Sequence, residues 1–68
     1  MRVVVEDISK KEKKEINITE NVSIGELLTL LKVNPITVLT VINGEVSIET
    51  KKLKENDAVK LIPIVSGG

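Results

Sequence analysis

The order of periodic segments predicts an α+β roll: strand, strand, helix, strand, strand, strand, with one helix covering one face of a mixed sheet of four to five strands. Three observations lead there. Segments of period two, rich in β-branched residues, stand near both ends of the chain, in "MRVVVEDI" and "VKLIPIV". One stretch, "SIGELLTLLK", changes to the period of a helix. A third, "ITVLTVINGEVSI", is a β-branched run broken by Asn43-Gly44, the dipeptide that suits a type I′ turn because both central residues take positive φ.

Each element follows in order. Met1, Val3 and Val5 alternate with Arg2, Val4 and Glu6, so the first strand is expected over residues 1–7. The polar "SKKEKK" then forms a hairpin tip, and "EINIT" alternates Ile16 and Ile18 with polar neighbours as the second strand. Lys10, Lys11, Lys13 and Lys14, with Glu12 among them, read as an exposed hairpin end rather than a dock for an acidic partner. Ile24, Leu27, Leu28 and Leu31 fall on one helical face, placing a helix over about 24–32. Ser23 with Glu26 spells a capping box, and Val22 is placed to staple onto Leu27. Lys32, Asn34 and Pro35 end the helix, with Asn34 expected in the left-handed conformation. Strands follow near 37–42 and 45–49. After a polar stretch carrying Leu53 and a turn at Asn56-Asp57, the last strand covers about 59–64, with Pro63 marking where it leaves the sheet.

Composition narrows the chemistry. The apolar share comes from ten Val, nine Ile and seven Leu, with no aromatic residue, so stacking on bases or flat cofactors is excluded. Ten basic residues balance ten acidic ones, which gives no reason to expect nucleic acid. Cysteine and histidine are both absent, removing disulfides, a thiol nucleophile, the usual general base and the commonest metal ligand. Ser9, Ser23, Ser47 and Ser66 therefore have no histidine to activate them, and Glu55 with Asp57 reads as a polar turn before a strand rather than an acid-base pair. Gly25 and Gly44 are isolated and form no phosphate-binding loop. No apolar run approaches the roughly 20 residues of a membrane span. A soluble cytoplasmic domain that is not itself an enzyme is expected.

The end of the chain, "VSGG", stands apart from this. Glycine serves where the backbone takes positive φ or where another group comes close. At a terminus the second use is the relevant one, unless the end is simply mobile. The expected division is a folded domain over 1–65 and a flexible Gly-Gly tail over 66–68.

Those residues carry a resemblance. "VINGEV" at 41–46 and "LKENDAVKLIPIVSGG" at 53–68 resemble the ThiS/MoaD sulfur-carrier family of ubiquitin-like β-grasp proteins, which share an Asn-Gly hairpin, a following Leu, an Asp before the last strand and a terminal Gly-Gly. The resemblance implies that Gly68, preceded by Gly67, offers its carboxylate to a ubiquitin-activating-like adenylyltransferase. That partner uses ATP to form an acyl-adenylate, from which a persulfide donor or sulfurtransferase makes a thiocarboxylate; no cofactor is bound by the carrier. The acceptor implied is a thiazole synthase of thiamin biosynthesis. A MoaD-like role in molybdopterin synthesis and a ubiquitin-like modifier conjugated through Gly68 stand beside it, as does a binding module that needs no tail. Strand alternation, with Leu39 and Val41 turned towards the helix, puts Val4, Val38, Ile42, Ile62 and Ile64 on the uncovered sheet face. These five, with Val65 and Ser66, are the expected partner-binding residues.

Overall fold

A computed structural model describes residues 1–64. Five strands form one mixed sheet: β1 (Arg2–Asp7), β2 (Glu12–Asn17), β3 (Val38–Ile42), β4 (Glu45–Ser47) and β5 (Ala58–Pro63), in the order β2-β1-β5-β3-β4. The two central strands, β1 and β5, run parallel, and the other neighbours are antiparallel. Helix α1 (Ile24–Leu30) crosses one face. The architecture is the α+β roll expected from the order of periods, arranged as the β-grasp that the resemblance implied.

Sequence alternation translates directly into packing in β1 and β5. Val3 and Val5 are buried, as are Val59 and Leu61, and they meet Ile24, Leu27 and Leu28 of the helix in one core with Ile18, Val22 and Leu53. The helix starts at Ser23, whose hydroxyl accepts from the Glu26 N–H at 3.2 Å while the Glu26 carboxylate accepts from the Ser23 N–H at 3.1 Å, completing the capping box. A Cβ added at Gly25 would lie 3.5 Å from Glu49, an ordinary contact, so this first-turn glycine is tolerated rather than required.

Several boundaries move. Strand β2 begins at Glu12, so Lys13 and Lys14 belong to the strand and the tip shrinks to the turn before it. Helix α1 stops at Leu30 with Leu31 as its cap, and the left-handed residue is Lys32 at φ 59°, where Val33 N–H reaches back to the Leu28 carbonyl. Asn34 instead stays extended and caps a single 3-10 turn, Pro35–Thr37, by accepting from the Ile36 N–H. Strand β4 is three residues long.

The register of β3 is the substantive correction. Ile42 is 3% exposed and belongs to the core, and Val38 packs against it, with Thr40 buried between them. Leu39 and Val41 therefore take the uncovered face. The pairing fixes this, since Ile42 stands beside buried Val59 and Thr40 beside buried Leu61. A one-residue difference in strand phase exchanges the two faces completely.

Candidate functional site

The uncovered face of the sheet is built from the residues that alternate away from α1. Val4 is in register with Ala58, Leu39 with Ile62, and Val41 with both Val46 and Lys60. Lys60 stands between Val41 on one side and Glu6 on the other. A shallow depression of about 430 Å³ lies over this region, lined by Val4, Glu6, Lys13, Val41, Ala58 and Lys60 among others. The face is thus an aliphatic band, Val4, Leu39, Val41 and Ile62, flanked by Glu6 set between Lys13 and Lys60, suited to a partner that brings apolar side chains with a polar rim. Val4 and Ile62 lie on it as expected; Val38 and Ile42 do not, and Leu39 and Val41 replace them.

β5 runs along this face and leads to Ile64, the last of the described residues. At its beginning the strand is fixed by side chains. Asn43, at φ 51°, and Gly44, at φ 87°, make the hairpin turn. The Asn43 carboxamide donates to Asp57 Oδ1 at 3.0 Å and accepts from the Ala58 N–H at 3.0 Å, while its own N–H donates to the Ala58 carbonyl. Asp57, 7% exposed, also accepts from the Lys54 N–H at 2.8 Å. Asn43 and Asp57 therefore share one task, and Leu53, shortly before Asp57 in the loop, is buried in the core. Sequence reading recognised Asn43 for its backbone and missed what its side chain does; the signal available was the Asp preceding the last strand.

Among the described residues, the far end of β5 is held by main-chain bonds and by the burial of Leu61, without side-chain hydrogen bonds. The Ile8 N–H donates to the Leu61 carbonyl and the Ile64 N–H to the Thr37 carbonyl. Ile8, Ile36, Leu39 and Ile64, all exposed, lie around this end. Val65, Ser66, Gly67 and Gly68 lie outside the described residues.

The acids with displaced titration sit elsewhere. Donation by the Ser9 hydroxyl, joined by the Lys10 and Ser9 N–H groups, holds the Asp7 carboxyl below its ordinary value against the opposing effect of burial. Donation by the Ser23 N–H does the same for Glu26. Both are explained by a turn and a helix cap. Among the described residues no cluster of His, Cys, Asp or Glu is arranged to hold a metal ion, and no helix is long and apolar enough to cross a membrane.

Comparison with known proteins places this geometry. The thiamine biosynthesis protein ThiS of Geobacter metallireducens is 27% identical, with 100% of each chain covered and a TM-score of 0.73. Subunit 1 and 2 of the molybdopterin-converting factor from Helicobacter pylori form a complex that includes a chain 23% identical, again with 100% of each covered, at TM-score 0.72. SAMP1 from Haloferax volcanii shares only 16% identity over 100% of both chains yet superposes at TM-score 0.76. At such low identity the last two speak for the fold. The ThiS family model matches residues 1–68, the Asn-Gly hairpin and final strand included, and the chain belongs to the ThiS family of ubiquitin-like sulfur-carrier fold.

Proposed function

We propose that this chain carries sulfur as a thiocarboxylate on Gly68 and delivers it for assembly of the thiamin thiazole ring. The observation that carries the reading is the family match over residues 1–68, reinforced by a thiamine biosynthesis protein 27% identical across the whole of both chains. The chemistry explains why a small fold without histidine or cysteine suffices. A carboxylate is a poor electrophile, so an adenylyltransferase must first convert it to an acyl-adenylate with ATP, releasing pyrophosphate. A persulfide sulfur then displaces AMP to give an acyl disulfide, and a second thiol of the sulfur-donating partner attacks its S–S bond, becoming a disulfide and leaving the thiocarboxylate. The reacting groups belong to the partner and to the chain terminus, and the domain supplies a handle. Two residues without Cβ let the backbone thread a narrow channel to the reacting phosphate.

In this reading the adenylyltransferase docks on the aliphatic face formed by Val4, Leu39, Val41 and Ile62, continuing along Ile64 towards Val65 and Ser66. The test is the intact mass of the protein after incubation with its adenylyltransferase, ATP and a sulfide source, beside a version lacking Gly68. A gain equal to oxygen replaced by sulfur, absent from the shortened version, supports the carrier chemistry; no gain with a competent partner overturns it. Supplying the charged protein to a thiazole synthase and to a molybdopterin synthase then separates the two pathways, and conjugates linked through Gly68 would indicate protein modification instead.

A further inference from the structure

Asn43 is the one asparagine of five that is followed by glycine. Asparagine side chains are open to attack by the next backbone nitrogen, and the attack is fastest where that residue has no Cβ to obstruct it. Gly44 is open: a Cβ built on it would meet nothing within 4 Å, and the turn is exposed. The sequence thus places a chemically labile pair beside the strand that leads to the tail. What restrains it is the carboxamide's own bonding. Oδ1 accepts from the Ala58 N–H at 3.0 Å and Nδ2 donates to Asp57 Oδ1 at 3.0 Å, so neither atom is free to rotate towards the Gly44 nitrogen. Asp57 is in turn fixed by the Lys54 N–H at 2.8 Å and is almost wholly buried.

We propose that Asn43-Gly44 is a latent deamidation site that the Asp57 clamp holds closed, so that modification there reports on, and then perpetuates, opening of the β3–β4 hairpin. The Gly44 nitrogen forms a bond to Asn43 Cγ and the Cγ–Nδ2 bond breaks; ammonia leaves with the proton lost from the Gly44 amide. Water then opens the cyclic imide at either carbonyl, giving aspartate or isoaspartate at position 43. The net change is the exchange of ammonia for water, with no redox step. The aspartate product places a carboxylate where an N–H donor faced Asp57. Two acceptors now meet, both negatively charged at neutral pH, and the start of β5 loses its side-chain anchor. The isoaspartate product adds a backbone carbon to a two-residue turn and disturbs the same pairing. The hairpin, once released, does not reclose as before.

The experiment is peptide mapping by mass after timed incubation at mildly alkaline pH, on the folded full chain, the same chain in denaturant, and Asp57→Ala. We expect position 43 to convert at least about tenfold more slowly in the folded chain than in denaturant, and Asp57→Ala, if folded by circular dichroism, to convert about tenfold faster than the parent. Equal rates for folded and denatured parent chain overturn the proposal without reference to any variant. A folded Asp57→Ala that converts at the parent rate also overturns it, since the restraint would then lie in the turn backbone. Asn43→Asp supplies a second reading: it is expected to lower stability relative to the parent, since two acceptors then face each other; stability equal to the parent's would overturn the proposal.

Discussion

The two ends of β5 are held by different chemistry. Where the strand begins, Asn43, Lys54, Asp57 and Ala58 are tied by side-chain hydrogen bonds, and Glu55 accepts from the Arg2 N–H across to β1. Where it ends, among the described residues, the strand is held by main-chain pairing with β1 and β3 and by buried Leu61, with exposed isoleucines around it. Directional bonds make one end specific to this fold. Aliphatic surface makes the other end receptive to something else, because apolar contact is non-directional and takes its shape from the partner. Structure and function are thus separated along a six-residue strand.

That separation can be attacked from both sides. The largest effect is expected at the receptive end: a chain lacking Gly68 should form no thiocarboxylate in the mass assay while its thermal unfolding is unchanged. A loss of stability on this truncation would mean that the tail is also structural. Asp57→Ala should do the reverse. Loss of an acceptor for two donors costs about 1–3 kcal/mol, which for a domain of this size lowers Tm by roughly 4–8 °C per kcal/mol. The surviving folded fraction should still be activated. Ile62→Asp should weaken activation by the adenylyltransferase while the domain stays folded, and unchanged activation would remove the uncovered face from the docking surface. A smaller change, about 1 kcal/mol in denaturant unfolding, is expected for Ser23→Ala, which leaves the helix start uncapped.

The acid limb gives the smallest expected effect. Asp7 and Glu26 have carboxyls held below their ordinary values of 3.8 and 4.5 by hydrogen bonds made in the fold. Their stabilisation is fully present above those values and is lost as pH falls through the lower folded values. Asp7→Asn and Glu26→Gln should therefore lower stability slightly at neutral pH and leave it nearly unchanged in acid, which flattens the acid side of a stability-pH curve; an acid limb as steep as the parent's would assign it to other carboxylates.

How far the sequence revealed this arrangement depended on whether a pattern had one solution. In β1, Arg2 and Glu6 mark the solvent phase, so Val3 and Val5 had to be inside. The helix was equally determined, by four aliphatics on one face and a capping box. In "VLTVI" every residue but Thr40 is a large aliphatic, and the single polar residue proved to be a buried one. Polarity there pointed the wrong way, and only pairing with Val59 and Leu61 of β5 settled the phase. Lys32 and Asn34 illustrate a second gap. Either can take the left-handed position, and the choice fell to Lys32 because Asn34 was needed extended, with its side chain free to cap the turn at Pro35. The Asn43–Asp57 contact spans 14 residues and has no local periodicity to announce it. The tail chemistry rests on residues whose meaning comes from resemblance and not from any contact.

The strand order has a consequence for how the chain reaches its native state. β5 is late in sequence yet central in space, pairing with β1 on one side and β3 on the other, and Val4 finds its partner at Ala58. Until β5 is available, the two hairpins have no common neighbour, and the core lacks Val59 and Leu61. Such long-range closure slows folding and delays cooperativity. A nascent or clipped chain ending short of β5 is thus expected to be a substrate for proteolysis, because the sheet closes only when its central strand arrives.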